Sequence, residues 1–161
     1  MVKRALLALT LLVVAVVAGL ALHVALAEGD TVFSWKRPDN LGVKDGRLAP
    51  PKRTPNCVSS QADPADTEHS IAPIPFKGDA PAAMAAVHKA VEGMEGATVI
   101  RQDGGYLYAE YRTKIMRFVD DVEFVFDAKA GLIHVRSASR LGRRDFGVNR
   151  ARIEALRARI Q

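Results

Sequence analysis

The side chains able to bind or react lie mostly in the last third of the chain: Arg112, Arg117, Asp120, Asp121, Glu123, His134, Arg136, Arg140, Asp145, Asn149 and Arg150. Guanidinium groups present planar forks of donors that grip carboxylate or phosphate in pairs, so arginines at this density suggest a polar pocket for an anion. The candidate set for such a pocket is Arg112, Arg117, Asp121, Glu123, His134, Arg136, Arg140, Asn149 and Arg150. The same residues can instead form ion pairs that tie a sheet to the C-terminal segment, and both readings stay open at this stage.

Other constellations are weaker. Asp120 and Asp121 offer oxygen to a hard cation, but neighbours on a strand point to opposite faces, so only one of them could join Glu123, and a turn-capping role is the simpler expectation. Cys57, the single cysteine, could act as a nucleophile if an imidazole from His69, His88 or His134 reached it. A buried apolar role is the commoner fate of a lone thiol. No His-x-His, His-x-x-x-His or Cys-x-x-Cys spacing occurs, so no metal site or cofactor is expected. Asp145-Phe146-Gly147 matches the magnesium-binding tripeptide of kinases, yet every other kinase element is missing and the chain is too short.

These residues need a scaffold, and 161 residues with 48% hydrophobic and 25% charged content allow one ordinary domain plus an appendage. The appendage is the run from Ala5 to Ala27, which carries no charge. As a helix it would extend about 34 Å at 1.5 Å per residue, enough to cross a hydrocarbon layer of about 30 Å. It reads as a transmembrane anchor over residues 5–27, or as a signal peptide cleaved after Ala27 at the Ala25-Leu26-Ala27 site. Lys3 and Arg4 precede the run, and Glu28 and Asp30 follow it. That bias puts residues 1–4 in the cytoplasm and the rest outside it, on the periplasmic side in a Gram-negative cell.

Residues 28–55 hold Pro38, Pro50, Pro51 and Pro55 and read as an extended linker. Trp35 within it is suited to a membrane interface or to packing on the domain. Residues 56–161 form the single α+β domain. Asp79 and Pro81 open a helix that runs to Met94, with Ala83, Val87, Ala90 and Val91 on one face. Period-two segments follow. Thr98–Gln102 and Tyr106–Thr113 flank the turn at Asp103-Gly104-Gly105, and a second hairpin runs from Val122 to Ser137 about Ala128–Gly131. Its self-consistent register opposes Phe126 to Ile133, Phe124 to Val135 and Glu123 to Arg136, with His134 beside that charged pair. Residues 148–160 make a short amphipathic helix. The expectation is an α+β fold with an antiparallel four-stranded sheet of two hairpins, flanking helices on one side, and one N-terminal transmembrane helix before it.

From Arg136 to Gln161 the chain holds eight arginines against Asp145 and Glu154, which makes a basic tail. Nucleic acid is not the expected partner, because the tail is expected outside the cytoplasm; an anionic leaflet, an anionic ligand or an envelope protein fits better.

Four separated blocks then carry a resemblance: Thr54–Gln61, Phe118–Phe124, Ile133–Gly142 and Asp145–Arg150. In this order they resemble the family called domain of unknown function 1499, from about residue 41 to the C-terminus. The resemblance implies a compact domain, often behind an N-terminal hydrophobic segment, in bacteria and plastid-bearing organisms, and supplies no activity. Many members carry a second cysteine six residues before the one that follows asparagine. Here that position is Pro51, so the resemblance implies no disulfide for Cys57. The combined expectation is a membrane-anchored extracytoplasmic binding or accessory module, with a small enzyme using Cys57 or the Asp120–Arg150 cluster as the alternative.

Overall fold

The computed structural model describes residue 6, residues 9–19 and residues 36–160. Residues 9–19 are helical (α1) and exposed. Among the described residues no helix is long and apolar enough to cross a membrane. The remainder of the apolar run, its cleavage site and Trp35 lie outside the described residues.

The domain is α+β, with an antiparallel sheet and two helices packed on one face. Helix α2 (Ala80–Glu92) begins where sequence chemistry places it. The Asp79 carboxylate accepts from the Ala82 N–H at 2.9 Å, and a proline occupies the first turn. Its buried face is Ala83, Met84, Val87, Ala90 and Val91. Strands β3 (Ala97–Asp103), β4 (Tyr106–Arg112), β5 (Val119–Asp127) and β6 (Leu132–Ser139) form the two hairpins. The β5–β6 register is the expected one, with Phe126 opposite Ile133, Phe124 opposite Val135 and Glu123 opposite Arg136.

The sheet has six strands rather than four. Strands β1 (Cys57–Ser59) and β2 (Ile74–Pro75) both pair with the outer edge of β6. Segments of three and two residues are too short to show alternation, and Pro75 is tolerated because β2 needs donors on one side only. Helix α3 (Val148–Ile160) closes the layer, burying Asn149, Arg152, Ile153 and Leu156.

Alternation along the strands gives the sheet two unlike faces. The face under α2 and α3 is apolar: Leu107, Ala109, Tyr111, Val122, Phe124, Ile133 and Val135 pack with Val87, Ile153 and Leu156. The other face carries Tyr106, Tyr108, Glu110, Asp121, Glu123 and Arg136, all buried. What covers it is the chain expected as an extended linker: residues 36–55 cross this face with turns at residues 39–40 and 45–46, the second closed by the Lys44–Arg47 bridge, and with Leu41 and Leu48 packed on Tyr106, Tyr108 and Val125.

Candidate functional site

Beneath that strap the charges satisfy one another. Glu123, with 0% of its surface exposed, accepts from the Arg136 Nη1 at 3.0 Å, the Tyr106 hydroxyl at 2.9 Å and the Gly42 N–H at 2.7 Å. Gly42 adopts φ 110°, a conformation an L side chain resists, and so lets the strap dip to the carboxylate. Nearby, Arg140 donates to both oxygens of Asp121, to the Tyr108 hydroxyl and to Glu110. Arg37 from the strap reaches Glu110 Oε1 at 2.7 Å and lies over the Tyr108 ring. Burial alone would raise the Glu110 carboxyl, but the hydrogen bonds from Arg37, Arg140 and Tyr108 outweigh it and hold the group below its usual value. Burial, reinforced by Glu123 beside Tyr106 and by Asp121 beside Tyr108, raises both phenols. Three guanidiniums thus face three carboxylates, each holding one within 3.0 Å, so the charges are closed even though Arg136 Nε is buried without an acceptor among the described residues.

A second buried node joins the sheet to α3. Asn149 donates through Nδ2 to the Asn56 carbonyl, the Ser139 hydroxyl and Asp145, while its Oδ1 accepts from Ser137 and from Arg152 Nη1 at 2.7 Å. Arg152 continues to Asp120 at 2.6 Å. Asp120 and Asp121 are therefore ion-pair partners on opposite faces near the start of β5, within the strand, and not turn caps. The Asp145 carboxylate accepts from the Gly147 and Asn149 N–H groups at the start of α3. Arg150 donates to the Thr67 and Glu68 carbonyls.

The remaining arginines of the candidate set have a different setting. Past the end of β4 lies an open groove of about 1060 Å³ between the α2–β3 connection, β4 and α3. Tyr111 and Met94 line it on the apolar side, and Arg112, Lys114 and Arg117 supply three cations against Glu95, with Arg152, already paired to Asp120, at the floor. Arg152 lies with its guanidinium 4.7 Å from the Tyr111 ring centre, and burial pushes the Tyr111 phenol up to about 12. The groove wall is fixed by close backbone approach: the Gly96 carbonyl accepts from the Arg112 N–H, and a Cβ at Gly96 would lie 2.4 Å from the Arg112 carbonyl oxygen. Arg112 Nη1 and Arg117 Nε are each buried without a hydrogen-bond partner among the described residues. Arg117 also holds φ 57°, a costly conformation for a residue other than glycine.

Cys57 is 1% exposed, and burial pushes its thiol up, away from the nucleophilic thiolate. The imidazoles are engaged elsewhere: His69 with Asp66 and the Thr54 carbonyl, His88 with Gln102 and Glu92, His134 with Ser60. Among the described residues no group of three or more His, Cys, Asp and Glu is placed to hold a metal ion.

Of the anion-pocket candidates, the structure brings Asp121, Glu123, Arg136 and Arg140 together under the strap and places Arg112 and Arg117 at the groove. His134 lies on the strapped face beside Arg136 but is bonded to Ser60 and not to the ion pairs, while Asn149 and Arg150 stand apart from both places. Sequence reasoning missed Tyr106, Tyr108 and Glu110, although they alternate along β4 with Arg112 and so share its face. It also missed Lys114 and Arg152 at the groove, and Arg37, whose partner lies 73 residues away.

The four sequence blocks meet at the Asn149 node, where Asn56, Asp120, Ser137, Ser139, Asp145 and Arg152 are bonded to one another through side chains or backbone. No curated protein and no solved structure matches the chain. The sequence model described as "Protein of unknown function (DUF1499)" matches residues 47–160, and the chain belongs to that family.

Proposed function

We propose that the protein is a non-catalytic, membrane-anchored binding module of the cell envelope whose groove beside Arg112 and Arg117 receives an anionic group. The observation that carries the reading is a pair of guanidiniums at the open groove wall, each with a buried nitrogen that lacks an acceptor and neither with a close carboxylate among the described residues. A buried donor left unpaired costs about 1–3 kcal/mol, which a small shift of either side chain onto a bound anion would recover. The strained backbone at Arg117 adds to this, since such conformations cluster where ligands are held. In this reading residues 5–27 anchor the chain, or are removed after Ala27, and the domain lies outside the cytoplasm.

The test is thermal denaturation of the full chain with inorganic phosphate and with small dicarboxylates. A ligand at about 100 times its dissociation constant stabilises by about 2.7 kcal/mol. The expected outcome is a raised melting temperature in the wild type that is lost in Arg112→Ala and Arg117→Ala. A wild type indifferent to every anion, or variants that respond as it does, would overturn the proposal.

A further inference from the structure

The end of the sheet that carries the groove is also where the domain exposes its apolar side chains. Among the described residues of the domain the exposed large hydrophobics are Val43, Ile100, Ile115, Met116, Phe118, Phe146 and Val148, and the last five belong to two neighbouring segments. The first is the β4–β5 loop. Thr113 closes it on itself, its N–H donating to the Phe118 carbonyl and its hydroxyl accepting from the Phe118 N–H, both at 2.9 Å. The closed loop holds Ile115 at its tip, 78% exposed, between Lys114 and Arg117. The second segment runs from Leu141 to Val148. Phe146 there is 96% exposed and is set outward on a backbone with φ 54°. Between the two segments lies a cleft of about 330 Å³ lined by Phe118, Val119, Leu141, Phe146 and Val148. It shares Thr113 and Val148 with the basic groove. Arg143 and Arg144 stand exposed on the same segment.

A soluble surface keeps such side chains scattered. Here an isoleucine and a phenylalanine project beside four exposed or half-buried cations, Lys114, Arg117, Arg143 and Arg144. Apolar tips flanked by basic residues match the boundary between acyl chains and anionic headgroups. The course of the chain points the same way. Arg37 is bonded to Glu110, two residues before the end of β4. The N-terminal segment therefore enters the domain at this end of the sheet. Eight residues separate Ala27 from Lys36, and even fully extended they reach only about 28 Å.

We propose that the Thr113–Phe118 loop and the Leu141–Val148 segment dock on an anionic phospholipid bilayer. Ile115 and Phe146 enter the acyl boundary, and Lys114, Arg117, Arg143 and Arg144 meet the lipid phosphates. The inference rests on the groove reading in one respect, since it names a lipid phosphate as the anion at Arg112 and Arg117.

The experiment uses the full chain with an environment-sensitive fluorophore on Ile115→Cys, and a control label on Lys129→Cys in the turn at the opposite end of the sheet. Cys57 is too deeply buried to react in the folded chain. Each protein is reconstituted into vesicles of phosphatidylcholine alone or phosphatidylcholine with phosphatidylglycerol. The expected result is a blue shift at position 115 with phosphatidylglycerol, much reduced without it. The shift should be reversed by high salt and lost in Arg143→Glu/Arg144→Glu, with none at position 129. No shift at 115, or equal shifts in both vesicles, overturns the docking. If inorganic phosphate still raises the melting temperature in an Arg117-dependent way while the label stays unmoved, the groove reading survives and the bilayer is not its partner.

Discussion

The strapped face and the groove contain the same kinds of side chain and behave as opposites. Under the strap Arg37, Arg136 and Arg140 are bonded to Glu110, Asp121 and Glu123, and two tyrosine hydroxyls take up further lone pairs. Among the described residues, Arg112 and Arg117 at the groove face only a distant contact to Glu110, at 3.7 Å from Arg112, and one exposed acid across the opening. A count of charged residues on a strand cannot separate these cases. What separates them is whether each guanidinium has been given a close carboxylate by the chain itself. Where the set is closed, charge serves the fold; where it is open, charge is available to something else.

The contrast can be broken first at Glu123. Removing one member of a buried pair strands the other, which costs about 3–5 kcal/mol. Glu123→Ala leaves Arg136, itself 2% exposed, together with the Gly42 N–H and the Tyr106 hydroxyl without their acceptor. Urea denaturation should place this variant near the limit of folding; a loss below about 1 kcal/mol would mean that water already reaches the face.

Acid gives a smaller, graded effect. The Glu110 carboxyl is held below its ordinary value of 4.5 in the fold, so its contribution is fully present above 4.5 and is lost as pH falls through the lower, folded value. Urea midpoints measured downward from neutral pH should therefore fall less steeply in Glu110→Gln, which starts lower because Arg37 and Arg140 lose a charged partner. Parallel pH profiles for the two proteins would show that Glu110 is not the group titrating.

The smallest effect is expected at the groove. Arg117→Ala removes a guanidinium whose buried Nε has no acceptor among the described residues and so costs stability in the absence of ligand, and the variant should be as stable as the wild type or gain about 1 kcal/mol. A large loss in denaturant stability would move Arg117 into the same class as Arg136 and erase the distinction.

Much of this architecture was legible in the residues. Period-two alternation and the Asp103-Gly104-Gly105 turn marked the first hairpin, and requiring Phe124 and Phe126 to share a face fixed the second. Asp79 and Pro81 marked the start of α2. Strands β1 and β2 were not legible, because so few residues carry no period and only the free edge of β6 makes them strands. The strap escaped for a related reason. Its prolines announced extended chain, but what it lies upon is set by partners such as Glu110 and Glu123, far along the sequence. The site divided in the same way. Opposing Glu123 to Arg136 required one hairpin only, whereas separating Arg112 and Arg117 from the other arginines required knowing where every acid ends up.

The Asn149 node has a consequence for the order of assembly. Asn149 binds the Asn56 carbonyl 93 positions earlier, and α3 is the final thirteen-residue element. Loop closure over such a separation is paid late. A nascent chain lacking α3 would leave the β6 hydroxyls and Asp120 without their partners and the apolar layer of the sheet half roofed. The domain is thus completed only when α3 docks, and deleting residues 148–160 should leave a collapsed, protease-sensitive intermediate instead of a smaller native domain.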